Sequence, residues 1–382
     1  MLYFDNAATT FPKPKSVINA VTSALINYGG NPGRGGHNMA MRVSEKIFSI
    51  RKIVAEFFNA DIENVAFTQN CTMSLNIAIK GVLNSGDHIL CSCLEHNSVI
   101  RPIVKLYNDG KITYDIAKVY DNDIDTINSF KLLIKENTKA IVCTHASNVS
   151  GKKMPIKQLG KLCKDNGLIF IVDAAQTAGV FPIDMQDFNI NILCMPGHKS
   201  LYGITGSGII ILNHIAKINT ILEGGTGSVS VELVQPDFCP DRLEAGTSNT
   251  AGIFSIGAGI NFIHQIGLDN IYSHEYKLCE YVYNKLSKIE NIKLYTKNYK
   301  AGQNAPIISF NIGNENSDNI VGTLNNMNCA LRGGLHCSPL AHEYYGTLDI
   351  GMARFSPSIF TKEYEVEQFV RNIQIISKNK SI

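Results

Sequence analysis

Asp173 closes the run Phe170-Ile171-Val172-Asp173-Ala174-Ala175-Gln176, and Gly197-His198-Lys199 follows, with the lysine twenty-six residues beyond the acid. Residues 168–172 are apolar and rich in β-branched and aromatic side chains, which predicts a central strand of a parallel sheet. An acid at the carboxyl end of such a strand stands where open α/β sheets bind ligands. A buried carboxylate there is costly without a cation. A pyridinium nitrogen is one such cation, and a lysine amine can form a Schiff base with an aldehyde. Together they are the two halves of a pyridoxal 5′-phosphate (PLP) site. Taken singly, Asp173 reads as a helix cap and Lys199 as one surface lysine, so the residues around them carry the argument.

Three further turns deliver polar side chains to the same sheet edge. Gln69-Asn70-Cys71-Thr72 joins a strand at Val65–Thr68 to a helix, and a polar turn at a helix N-terminus offers free amides and a favourable dipole to a phosphate. Glu95-His96-Asn97 follows a strand that starts at His88, and His145-Ala146-Ser147-Asn148 follows a strand over 139–144. A histidine so placed can stack on an aromatic cofactor and exchange protons near neutral pH. The convergence of Thr72, His96, Asn148 and the Asp173/Gln176 pair outweighs any single member. A core histidine or a capping asparagine would explain only one of them.

From about Lys15 to Leu212, helical and strand-like segments alternate, which predicts a mostly parallel sheet covered on both faces. Helices are expected over 14–27, 44–59 with Ser44 as the cap, 72–83, 99–107 and 156–164. After Gly246 the texture changes to a long helical stretch over 253–289, a strand at 307–310 and a mixed tail. The expected fold is α/β, with a large domain over 15–255 and a smaller α+β domain built from 1–14 and 256–382. The glycine-rich segment 203–208 opens no clear helix and is a weak nucleotide-binding signal.

The 382 residues are 45% hydrophobic, enough for a substantial core. Basic and acidic residues, 35 and 33, are interspersed to a net charge of +2, with no basic stripe for nucleic acid. The start, Met1-Leu2-Tyr3-Phe4-Asp5-Asn6, lacks a signal-peptide pattern, and no window approaches about eighteen apolar residues, so a cytoplasmic protein without membrane contact is expected. Ten cysteines without a CxxC pair predict neither a disulfide scaffold nor a metal centre. Cys91-Ser92-Cys93 is expected along a strand.

The chain resembles the class V, fold-type I PLP enzymes, and more narrowly the cysteine desulfurase and selenocysteine lyase family. The resemblance rests on Asp5-Asn6-Ala7-Ala8-Thr9-Thr10, Gly33-Arg34-Gly35-Gly36-His37, Glu95-His96-Asn97, Ser147-Asn148, Asp173-Ala174-Ala175-Gln176, Gly197-His198-Lys199, Glu244-Ala245-Gly246-Thr247 and Arg332-Gly333-Gly334-Leu335-His336-Cys337, in the family's order. It implies a fold-type I PLP-dependent transferase. Lys199 would hold PLP and then move the substrate α-proton, and Asp173 would keep the ring nitrogen protonated. Gln176 would bond the ring hydroxyl, His96 would stack on the ring as a third catalytic group, and Thr72 and His198 would bind the phosphate beside Cys71. Asn148 would touch cofactor and substrate. Thr247 would reach the phosphate of a neighbouring subunit's cofactor, which implies a homodimer with shared active sites. Arg354 would clamp the substrate carboxylate with its planar fork, with Arg332, His37 and Ala8 close by.

Cys337 separates the reaction types. Transamination needs no protein thiol, whereas removal of sulfur from cysteine needs a nucleophile to receive it. Cys337 lies in a glycine-flanked loop beside histidine and near arginine, a setting that suits a nucleophilic thiol. The other nine cysteines mostly sit in apolar segments, Cys143 and Cys163 among them. The resemblance then implies conversion of L-cysteine to L-alanine with the sulfur left as a Cys337 persulfide. Because the loop is short and ends at Pro339, it also implies a sulfur-acceptor protein that docks over the site. Selenocysteine lyase, a class V aminotransferase and a non-catalytic scaffold stand as alternatives. Two departures from the family's pattern flank the lysine: Pro196 replaces a hydroxyl residue, and Ser200 is an extra residue.

Overall fold

The computed structural model describes residues 1–33, 35–216, 218–296 and 298–379; Arg34, part of the 33–37 motif, lies outside the described residues. Seven strands form the central sheet, in spatial order Val65–Thr68, Gly208–Leu212, Ile192–Pro196, Ile169–Asp173, Thr138–Thr144, His88–Ser92 and Thr113–Ala117. Gly208–Leu212 runs antiparallel to both its neighbours, and all the other strands share one direction.

The strands read as unbroken apolar runs because both faces are covered. Phe67, Cys143, Val172, Leu193 and Ile211 enter one core, against helices Asn38–Phe58, Ile156–Asp165 and Thr250–Ile266. Their alternates, Ala66, Val142, Ile171, Cys194 and Ile210, enter a second core under helices Cys71–Val82 and Asn97–Asn108. This alternation is the two-residue period of a pleated strand. The expected α/β fold with a mostly parallel sheet is therefore present. Its parallel strands all end on one edge.

A smaller antiparallel sheet joins Ile292–Leu294, Ile308–Ile312 and Ala353–Phe355. Phe4, Phe310, Phe355 and Phe369 fill its core. Leu2–Tyr3 pairs with Cys329–Ala330, which brings the N-terminus to this layer.

Three local expectations are corrected. The helix expected from Ser44 begins at Asn38, and its cap is His37, whose Nδ1 accepts the Ala40 N–H at 3.3 Å. The stretch 253–289 is two helices, Thr250–Ile266 and Leu268–Leu286, bent by 81°. Gly267 sits at the break with φ of 89°, a conformation that side chains disfavour. Cys93 stands beyond its strand, which ends at Ser92. Among the described residues, no single helix is long and apolar enough to cross a membrane.

Candidate active site

Cys71, Thr72, His96, Asn148, Asp173, Gln176, His198 and Lys199 line one open cavity of about 180 Å3 at the strand ends. The convergence read from the sequence is thus realised in space. Asp173 is 3% exposed. Its Oδ1 accepts the Ala175 N–H at 2.9 Å and the Cys71 thiol at 3.6 Å, which leaves Oδ2 for another partner. Burial raises the Asp173 pKa, with the Ala175 bond and Lys199 opposing. Burial likewise lowers the Lys199 pKa; Asp173 opposes that shift, while Arg354 and Arg332 add to it. Loss of water therefore pushes each toward its neutral form while its partner pulls it back. A cationic ring nitrogen beside Oδ2 would complete the carboxylate's surroundings.

Lys199 is held by its backbone. Its carbonyl accepts the Thr10 hydroxyl at 2.9 Å and the Tyr202 N–H at 2.8 Å. The segment after it packs tightly on glycines: a Cβ at Gly179 would lie 2.2 Å from Ser200 O, and one at Gly259 1.9 Å from Leu201 O. Only glycine permits that approach, so Ser200 is accommodated by its surroundings.

The phosphate side fits as well. Asn70 caps helix Cys71–Val82, and its Oδ1 takes the Met73 N–H at 2.9 Å. The first-turn amides of Cys71 and Thr72 have no intrahelical partner, and they carry the positive end of the helix dipole. His198 Nδ1 is buried without a hydrogen-bond partner. Burial first, then the cations Lys199 and Lys13, lowers the His198 pKa to about 4. An orphaned ring nitrogen beside free helix amides suits a phosphate. Pro196 lines the cavity but offers it no hydroxyl.

His96 caps helix Asn97–Asn108. Its Nδ1 accepts the Ser98 N–H at 3.0 Å and lies 2.8 Å from Ser98 Oγ, which in turn lies 2.8 Å from Thr72 Oγ1. With Nδ1 accepting, the ring proton sits on Nε2. Burial, then Lys199 and Arg332, lowers its pKa to about 4, so the ring is neutral and fixed in orientation. Ser98 went unnoticed in the sequence, where its only signal is a serine two residues after a histidine. Gln176 Nε2 donates at 3.0 Å to the carbonyl of Ala7, the chain neighbour of Ala8. His145, by contrast, turns its ring toward Phe181 and Phe188, away from the cavity.

Glu95 lies beneath this floor with 0% exposure, its Oε1 accepting the Ser92 hydroxyl and, at 2.9 Å, the Thr144 N–H. Burial raises its pKa from 4.5 to about 8. Between those values the folded state holds a proton that the unfolded chain releases, so wild-type stability falls as pH rises through that window. Glu95→Gln carries no such proton. Its stability relative to wild type is expected to improve between pH 5 and pH 8, by on the order of a few kcal/mol. Urea midpoints measured for both proteins at each pH test this, and parallel pH profiles would refute it.

Cys337 is the exposed cysteine of the ten; Cys93 and Cys239 are partly buried and the rest are buried. Its loop is tied to the cavity wall. Asn148 Nδ2 donates to His336 O at 2.8 Å, Ser338 Oγ donates to Asn148 Oδ1 at 2.7 Å, and the Asn97 N–H, beside His96, donates to Cys337 O at 2.7 Å. Asn148 therefore joins the cavity to the loop, and Ser338 is a member that the sequence did not signal. Arg354 is 2% exposed. Its Nη1 donates to Asn148 O and its Nη2 to Asp5 Oδ1, both at 2.8 Å, while its Nε is buried without a partner. Arg332 is exposed, and its carbonyl accepts the Arg354 N–H at 2.9 Å.

Among the expected site residues, Ala8, Arg332, Cys337 and Arg354 stand outside this cavity's lining, and His37 and Thr247 are engaged elsewhere in the single chain. His37 is exposed and occupied as a helix cap. Thr247 borders a separate cleft with Gln69, Met73 and Ser207. That segment is pinned by Glu244, whose carboxylate takes both terminal nitrogens of Arg51, at 2.7 and 3.0 Å, and the Phe67 N–H at 2.7 Å.

Known proteins with this arrangement are informative. The aminotransferase class-V family model matches residues 2–369. A probable cysteine desulfurase of Pyrococcus abyssi is 31% identical over 391 residues, covering 99% of this chain and 95% of the relative. A cysteine desulfurase of Escherichia coli is 30% identical over 390 residues, covering 99% and 94%. The apo structure of a cysteine desulfurase from Thermococcus onnurineus superposes with a TM-score of 0.90 at 30% identity, covering 99% of this chain and 95% of that one. With a family match over nearly its whole length and relatives of this identity, the chain belongs to the aminotransferase class-V family.

Proposed function

We propose that this protein is a PLP-dependent cysteine desulfurase that converts L-cysteine to L-alanine and receives the sulfur on Cys337. Asp173, Gln176, His96, Thr72 and His198 would hold the cofactor, and Lys199 would bind it covalently. Bound PLP supplies an electron sink for the pair left when the substrate α-proton departs. Arg354 orients the substrate carboxylate through its free N–H groups. Lys199, with its pKa lowered by burial, takes the α-proton as a neutral amine. The Cys337 sulfur then bonds to the substrate sulfur as the carbon–sulfur bond breaks, the electron pair of that bond takes a proton at the β-carbon, and return of a proton from Lys199 to the α-carbon completes alanine.

One observation carries the reading: the exposed Cys337 sits on a loop bonded to Asn148, which lines the cavity that contains Asp173 and Lys199, and to Asn97, the chain neighbour of His96 and Ser98 in that lining. Incubation of the PLP-loaded protein with L-cysteine and a thiol reductant, which releases the Cys337 persulfide as sulfide, is expected to give alanine and sulfide in equal amounts. L-Selenocysteine run alongside distinguishes a lyase by its higher relative rate. Keto acid-dependent turnover without sulfide would instead indicate an aminotransferase.

The reading extends to a homodimer. Ile18, Leu25 and Ile26 on one helix, Met39, Met41 and Phe48 on the next, and Val231, Leu233 and Val234 beyond are exposed apolar side chains that a second copy would cover. Thr247 and His37 would then serve the neighbouring site. A sulfur-acceptor protein would take the persulfide from Cys337 at the surface. Ten free cysteines suit a reducing cytoplasm. The division into 15–255 and 1–14 with 256–382 is supported at the N-terminus by the Leu2–Tyr3 pairing, although helix Thr250–Ile266 packs on the large unit throughout its length.

A further inference from the structure

A second pair of histidines, unused in the reaction above, stands beside Cys337. His336 and His342 are 4% and 0% exposed. Their rings lie with centroids 5.7 Å apart and planes at 11°. Their nitrogens fall in a line: His336 Nε2 is 3.4 Å from Arg332 O, His336 Nδ1 is 3.4 Å from His342 Nε2, and His342 Nδ1 is 2.8 Å from Thr347 Oγ1.

The proton positions follow from one end of this line. Arg332 O can only accept, so His336 carries its proton on Nε2 and accepts at Nδ1. His342 therefore donates from Nε2, and its Nδ1 accepts the Thr347 hydroxyl proton. Both rings are neutral. Burial lowers each pKa, and for His336 the nearby Arg354 adds to the effect.

The line meets the loop at its strained point. His336 and Cys337 have φ of 50° and 56°, two consecutive left-handed residues that bear side chains. Such backbone persists only where the surroundings impose it. Asn148 and Asn97 restrain the carbonyls of these two residues from the cavity side. His342, on helix Pro339–Tyr345, restrains the His336 side chain from the other.

We propose that Thr347, His342 and His336 form a one-way hydrogen-bond relay that fixes the conformation of the Cys337 loop, which makes His342 a positioning residue for sulfur transfer. The inference rests on the reading that Cys337 receives the sulfur.

The test compares PLP-loaded His342→Phe, His342→Gln and Thr347→Val with wild type, with Cys337→Ala as control. Phenylalanine fills the ring's space without a donor, glutamine keeps a terminal N–H, and valine removes only the hydroxyl. Two quantities are read on mixing with L-cysteine: the change in cofactor absorbance, and the single-turnover rate at which sulfur is trapped on residue 337. His342→Phe is expected to slow trapping about 10- to 100-fold, the scale of a small misplacement of a reacting group. Its absorbance change should stay within about twofold of wild type. Glutamine should restore most of the rate, and Thr347→Val should slow the same step less severely. Equal slowing by phenylalanine and glutamine, or trapping unaffected by both His342→Phe and Thr347→Val, overturns the relay. Wild-type sulfide release by Cys337→Ala would instead overturn the reading beneath it, and the two failures are told apart by that control.

Discussion

Lys199→Ala is expected to lose at least about 10³-fold in turnover of L-cysteine, because in the proposed function one amine both anchors the cofactor and moves the α-proton. The fold should survive. The Lys199 carbonyl makes the bonds to Thr10 and Tyr202, and the substitution leaves that backbone unchanged. The phosphate-side amides of Cys71 and Thr72 are untouched, so the variant should still take up PLP, now without a covalent link. Dialysis should then strip PLP from the variant and not from wild type. Visible absorbance before and after dialysis, with an alanine assay, checks both halves. Activity within about tenfold of wild type would remove Lys199 from the chemistry.

Cys337→Ala is expected to abolish sulfide release, with a loss of about 10²-fold or more, while PLP absorbance and stability stay as in wild type. The thiol is exposed, and the loop's carbonyl bonds to Asn97 and Asn148 do not involve it. Alanine keeps a Cβ, so the left-handed backbone at residue 337 is no more strained than before. The loss should therefore be confined to the sulfur step. Binding of L-alanine, which carries no sulfur, should still change the cofactor absorbance. Sulfide release above about a tenth of the wild-type rate would exclude Cys337 as the acceptor and favour a reaction that needs no protein thiol.

Much of this protein is legible in its sequence. The unbroken apolar run ending in Asp173 located a central strand, and the polar turns after neighbouring strands predicted the rim on which Thr72, His96 and Asn148 now stand. Local rules reach this far because alternation, caps and breakers act over a few residues. They falter where two local signals compete. Ser44 looked like a cap, yet His37 fills that role, and Gly267 broke a helix that composition alone would continue.

The sequence by itself determined the sheet, the edge at which the polar turns gather, and the lysine, aspartate and cysteine on which the proposed chemistry rests. Tertiary structure alone decided what holds them. Asp5 meets Arg354 across 349 residues, Asn148 grips the His336 carbonyl across 188, and the Cys71 thiol turns toward Asp173 across 102. No periodicity encodes these partners. A hydrogen bond is set by distances of a few tenths of an ångström between side chains that meet only after the layers pack, and the same residues in an unfolded chain have no reason to prefer one another.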